Sequence, residues 1–231
     1  MKNRSRNSRR LFLKTSTIAG IGLGVYGNSF GFSSDQVKNF QGKKVGIIGL
    51  DTSHSIAFTK VLNGHKDDQL YFGYHVVAAY PFGSKDIKSS MDRIPGYTEE
   101  IQKMGVEIVG SIADLLQKVD VVLLETNDGK LHLEQAMEVF KAGKRVFIDK
   151  PMTASLKDAK AIFEASQQYK IPVFSASSLR YITGIEKINK STVIGASTFS
   201  PAELEPSHPD LYWYGIHGVE TLFTVMGTGC E

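Results

Sequence analysis

Beyond residue 43 the chain alternates short apolar runs with helix-length segments. Lys44-Val45-Gly46-Ile47-Ile48-Gly49-Leu50 has a β-branched core closed by a turn, and 53–62 behind it reads as helical. That pairing predicts a buried parallel strand entering a helix. A second strand is expected at 75–80, stopped by Pro81, and a third at 106–109 after the polar stretch 83–104. Further strands are expected at 119–125, 146–148 and 173–175, with helices at 112–118, 131–141 and 156–169 and Gly143 ending the second of these. Strands alternating with helices in this way imply an α/β fold of Rossmann type, a doubly wound parallel sheet with right-handed connections. After Arg180 the pattern thins to a strand at 192–200, a proline-bearing loop at 201–209 and a helix at 218–226.

Charge divides the chain unevenly. The formal net charge is +3, yet residues 1–14 hold six cations and no acid, so the remainder carries −3. A nucleic-acid partner therefore loses its support. Ser8-Arg9-Arg10-Leu11-Phe12-Leu13-Lys14, followed by a weakly apolar stretch to Phe32, looks like a twin-arginine signal peptide and predicts export to the periplasm. Any membrane contact is then expected only through that segment. Cys230 is the sole cysteine, which excludes an internal disulfide. The six histidines show no i,i+4 pairing and no HExxH spacing. No metal site is expected, although His208, Asp210 and His217 could meet in space.

The turn after the first strand is where a dinucleotide fold offers backbone N–H groups to a pyrophosphate. Here Gly49 matches the first glycine of GxGxxG, while Asp51 and His54 occupy the second and third. Asp51, Thr52 and Ser53 can cap the helix or cradle phosphate, and His54 can start the helix or donate to a ligand. After the second strand, Ser84 and Lys85 stand where an acid would meet the ribose of NAD. They suit a 2′-phosphate or form a solvated turn.

Two further segments carry a resemblance. Glu125-Thr126-Asn127-Asp128-Gly129-Lys130-Leu131-His132 and Ala142-Gly143-Lys144-Arg145-Val146-Phe147-Ile148-Asp149-Lys150-Pro151-Met152 resemble the Gfo/Idh/MocA oxidoreductase family over roughly residues 43–229. The resemblance implies a Rossmann domain that binds NAD or NADP, with contacts from Thr126, Asn127, His132 and Lys150. It further implies an α/β substrate domain with an open sheet, a homo-oligomer at full length, and Lys150 as the catalytic lysine. Asp149 replaces the usual glutamate. Gly215-Ile216-His217-Gly218-Val219-Glu220 is similar to the family's DxGxHxxD segment, with His217 in the histidine position and Trp213 in place of the first aspartate.

Lys150 at a strand's carboxyl end can polarise a substrate oxygen, and His217 can move the proton, sharing it with Glu220, Tyr214 or solvent. Trp213 and Tyr214, beside Tyr212, offer an aromatic platform for a carbohydrate or else pack in the core. Arg180 reaches substrate or forms an ion pair. The expected organisation is a signal and linker at 1–34, a dinucleotide-binding domain at 42–176, and a partial C-terminal substrate domain at 177–231, truncated by the end of the chain. The expected activity is hydride transfer at a hydroxylated carbon of a sugar, polyol or related small molecule. The rivals are an NAD-dependent glycosidase and a non-catalytic sugar-binding or scaffold protein.

Overall fold

The computed structural model describes residues 42–65 and 68–228. The twin-arginine motif and Cys230 lie outside them. Strands β1 (Lys44–Ile48), β2 (His75–Tyr80), β3 (Glu107–Ile108), β4 (Val121–Leu124), β5 (Arg145–Ile148) and β6 (Val173–Ser175) form one parallel sheet in the order β3-β2-β1-β4-β5-β6. The chain builds outward from β1 to β3, then returns to lay β4 on the other side of β1. This creates a topological switch point above the carboxyl ends of β1 and β4, the place where ligands bind in open α/β sheets.

Helices α1 (Ser53–Gly64), α2 (Lys88–Lys103), α3 (Ile112–Lys118), α4 (His132–Lys141), α5 (Leu156–Tyr169) and α6 (Ile216–Met226) follow in chain order. Alternation along the strands divides the apolar side chains between two cores. Val45, Ile47, Leu123 and Phe147 pack with Ile56, Phe58 and Leu62 of α1 and Ile101 of α2. Ile48, Val122, Leu124, Val146 and Ile148 pack on the opposite face with Leu115 of α3, Ala136, Val139 and Phe140 of α4, and Ile162 of α5. Hydroxyl caps fix several helix starts: Ser111 Oγ accepts from Asp114 N at 3.0 Å and Ser155 Oγ from Asp158 N at 3.0 Å.

Two sequence expectations need correction. The polar stretch 83–104 contains α2, a sixteen-residue helix that carries Pro95 inside it and buries only Ser90 and Ile101. Its few apolar residues, Met91, Ile94, Tyr97 and Ile101, recur at helical spacing, but the polar composition and the Pro95-Gly96 pair mask the helix. The strand expected at 192–200 does not form. Ile194 and Phe199 stand almost fully exposed, and no strand lies beside this segment among the described residues to complete a ladder. Among the described residues no helix is long and apolar enough to cross a membrane.

Candidate active site

The turn from β1 into α1 begins with Gly49 at φ 91°. A Cβ there would lie 2.5 Å from the backbone nitrogen of Thr126, so only glycine lets the turn pass this close to the loop after β4. Asp51 is fully buried. Its carboxylate accepts from Asn127 N at 3.0 Å and Ser84 N at 3.3 Å, fastening the loops after β4 and β2 to the turn. Gly83 approaches so closely that a Cβ would sit 2.1 Å from Asp51 Oδ2. Burial pushes the Asp51 carboxyl up, against the pull of those two N–H groups. Thr52 is the N-cap of α1, its hydroxyl accepting from His54 N at 3.4 Å, and Ser53 is exposed in the first turn.

Beyond β2, Ser84 is buried and serves the start of α2. Its hydroxyl donates to Asp128 at 2.8 Å and accepts from Asp86 N at 3.2 Å and Ile87 N at 3.1 Å. Lys85 is exposed. Thr126 and Asn127 are buried, and Asn127 Nδ2 donates to Ser90 Oγ at 3.1 Å. His132 is also buried, with Nε2 2.6 Å from the Thr126 carbonyl and Nδ1 2.9 Å from the Met152 carbonyl. It braces the loop after β4 against the loop after β5.

β5 delivers Asp149 and Lys150 to the same edge, both buried, with a cis peptide between Lys150 and Pro151. Lys150 Nζ lies 5.2 Å from the ring centre of Tyr214 and 5.9 Å from that of Trp213. Trp213, where the family pattern has an acid, therefore gives the ammonium an aromatic face and no countercharge. His217 Nδ1 is 2.6 Å from Ser177 Oγ. Of the partners foreseen for His217, Tyr214 lies 5.5 Å away ring to ring, while Glu220 is engaged elsewhere. Glu220 instead accepts from Ser177 N and pairs with Arg180, whose guanidinium also lies 5.6 Å from the Phe174 ring centre. Arg180 thus takes the ion-pair option, while lining with Lys150 and Glu220 a cavity of about 260 Å³. His208 lies 3.4 Å from Asp128 and 5.0 Å, ring to ring, from Trp213, so His208 and His217 take different partners.

Burial, reinforced by the positive charge of Lys150, holds the His217 imidazolium down to a pKa of about 4. The ring is neutral at pH 7 and keeps a lone pair. Because the folded value lies below the ordinary 6.5, the unfolded chain binds the extra proton first. Stability is expected to fall as pH drops from about 6.5 to about 4, and His217→Asn to lack that component. Urea unfolding at pH 7 and pH 4.5 checks this, and identical losses in both proteins would refute it.

The sequence reading assigned no role to Glu125, which ends β4 fully buried with neither carboxylate oxygen hydrogen-bonded. Burial, then the neighbouring charge of Asp149, pushes its carboxyl well above the ordinary range. Asp149 goes the other way. Burial would raise it, but the charge of His54, with Nδ1 2.6 Å from Asp149 Oδ2, and that of Lys150 prevail and lower it. An acid directly after the apolar run Val121–Leu124 was the available signal for Glu125. Ser177 was visible only as one of several serines.

A dinucleotide phosphate fits the amino terminus of α1. Ser53 is exposed there, and the acid at the second glycine position is turned inward onto two backbone N–H groups. The floor beneath is rich in acids, with Glu125, Asp128 and Asp149 buried and Lys150 the only buried lysine among the described residues.

The fold has known counterparts. A candidate NADPH-dependent oxidoreductase from Desulfitobacterium hafniense superposes with a TM-score of 0.60 at 17% identity, covering 81% of this chain and 56% of that one. UDP-N-acetylglucosamine 3-dehydrogenase from Acidithiobacillus ferrooxidans does so with 0.55 at 16% identity, covering 80% and 54%. The WlbA dehydrogenase of Bordetella pertussis, a weaker likeness with a TM-score of 0.46 at 21% identity, shares 58% of this chain and 36% of its own. The chain thus spans from about a third to just over half of these structures. No curated protein matches it. The Gfo/Idh/MocA model, an oxidoreductase family with an NAD-binding Rossmann fold, matches residues 43–177. The chain belongs to that family.

Proposed function

We propose that the protein is an NAD(P)-dependent oxidoreductase acting at a hydroxylated carbon of a sugar, polyol or related small molecule. The observation that carries this is Lys150, buried at the carboxyl end of β5 with its ammonium over Tyr214 and Trp213 and within electrostatic reach of His217. In this reading residues 42–176 bind the cofactor, and the following segment brings His217 and the aromatic rings over Lys150.

A bound nicotinamide would supply the hydride acceptor or donor for the carbinol carbon. Ser53 and the first N–H groups of α1 would hold the phosphates, and exposed Lys85 would meet a 2′-phosphate. Lys150 donates a hydrogen bond to the reacting oxygen and offsets its developing charge. His217 is neutral, and when its Nδ1–H donates to Ser177 Oγ, Nε2 is left as the acceptor for the hydroxyl proton. The aromatic faces of Trp213 and Tyr214 suit the apolar face of a sugar ring.

Native mass spectrometry of freshly purified full chain, followed by assays with NAD and NADP against hexoses, polyols and sugar nucleotides, tests the proposal. A bound or added dinucleotide with substrate-dependent change in reduced-nicotinamide absorbance is expected. Sugar binding without any dinucleotide would overturn it in favour of a binding protein. Glycosidic cleavage without net cofactor reduction would overturn it in favour of a glycosidase.

A further inference from the structure

His54, Glu125 and Asp149 come from three separate elements, the first turn of α1 and the ends of β4 and β5, and converge at the switch point. One potential ligand atom from each lies within 4.8 Å of the others. Two further facts separate this from an ordinary acidic cluster. Glu125 is fully buried and neither of its oxygens has a hydrogen-bond partner, although a buried polar group left without one is costly in either protonation state. The cluster also offers a nitrogen donor, His54, whose side chain is 26% exposed while that of Asp149 is 4% exposed. An ion can therefore reach the two carboxylates past the imidazole.

We infer that His54, Glu125 and Asp149 form a binding site for a divalent transition-metal ion. The donor set selects the class. Imidazole nitrogen suits zinc and iron, carboxylate oxygen suits magnesium, calcium and manganese, and a mixed site of one nitrogen and two oxygens favours a borderline ion such as Zn²⁺ or Mn²⁺. Metal–ligand bonds of roughly 2.0–2.2 Å leave neighbouring donor atoms roughly 3.0–3.6 Å apart. Binding therefore requires His54 and Asp149 to part from 2.6 Å and the three donor atoms, within 4.8 Å of one another, to close on the ion. Two carboxylates balance the charge of the ion. Lys150, whose charge acts on both carboxyls, has its ammonium 5.9 Å and 5.2 Å from the ring centres of Trp213 and Tyr214 and competes with the ion for the carboxylates.

The site goes beyond the oxidoreductase reading and does not depend on it. A bound dication would give the buried acids at the switch point a countercharge. The spacing of the sequence conceals the site, since residues 54, 125 and 149 belong to no local metal motif.

The test uses the full chain stripped with chelator and titrated calorimetrically with ZnCl₂, MnCl₂ and MgCl₂, with metal content measured after gel filtration. One equivalent of Zn²⁺ or Mn²⁺ is expected to bind, with Mg²⁺ much weaker. At a hundredfold excess over Kd the melting temperature should rise by roughly 5–10 °C. Glu125→Gln, nearly isosteric and with no charge to bury, should melt no lower than the wild type without metal and bind at least about tenfold more weakly. Asp149→Asn provides a second variant should Glu125→Gln fold poorly. Electron-spin-echo modulation of bound Mn²⁺ should show a coordinated imidazole nitrogen that disappears in His54→Gln. Absence of stoichiometric binding, or binding by the folded variants as tight as by the wild type, would overturn the inference. Dinucleotide is omitted throughout, so failure here leaves the oxidoreductase reading to its own assay.

Discussion

Replacing Lys150 with methionine is expected to lower kcat about a thousandfold while leaving dinucleotide affinity within tenfold of the wild type. The loss is large because a preorganised positive charge in a water-poor site acts on the oxygen where charge develops, a contribution of about 10²–10⁴ in rate. Lys150 is the only buried lysine among the described residues, so no neighbour replaces it. Methionine keeps an unbranched apolar side chain against Trp213 and Tyr214, which separates charge from packing. Removing the ammonium also takes away a cation that lowers the pKa of Glu125 and of Asp149. The melting temperature must therefore be recorded beside kcat and KM. A variant that folds normally and works within fivefold of the wild type would remove Lys150 from the chemistry.

Gly49→Ala is expected to destabilise the protein by about 2–5 kcal/mol. Two costs add. The residue sits at φ 91°, where a side chain is strained. The new methyl would also fall 2.5 Å from Thr126 N and 2.6 Å from Thr126 Cα, atoms of backbone that cannot swing aside. Relief would push the β1–α1 turn away from the loop after β4, loosening the bonds from Asp51 to Asn127 and Ser84. Gly110→Ala is the control, because a Cβ there meets nothing within 4 Å. Urea denaturation should show a lower midpoint for Gly49→Ala with an unchanged slope, and Gly110→Ala within about 0.5 kcal/mol of the wild type. Equal midpoints for both would mean that the turn yields at little cost.

Where sequence and structure agree, the controlling interactions are local. The starts of α3 and α5 lie next to Ser111 and Ser155, whose hydroxyls cap them, and both helices were legible to the residue. The strands were legible because each residue of a buried parallel strand meets one of two helical layers, making the run continuously apolar. α2 was not, since it lies over the loop after β4 through Ser90 and Asn127, is polar in composition and carries Pro95-Gly96 inside it. The segment 192–200 misled for the converse reason: β-branched composition permits a strand, but only a partner strand makes one.

The site divides along the same line. Lys150 and His217 were identifiable because each sits in a contiguous motif. Their surroundings were not, because Ser177 meets His217 across forty residues and Asp51 meets Asn127 across seventy-six. By itself, then, the sequence determined the layered α/β order, the glycine at the first turn and the lysine at the end of β5. The tertiary structure alone decided that Asp51 turns inward onto two backbone N–H groups, that His217 pairs with a serine, and that His54, Glu125 and Asp149 converge. Periodicity and capping act within a few residues, whereas burial of charge depends on which strand ends the fold brings side by side.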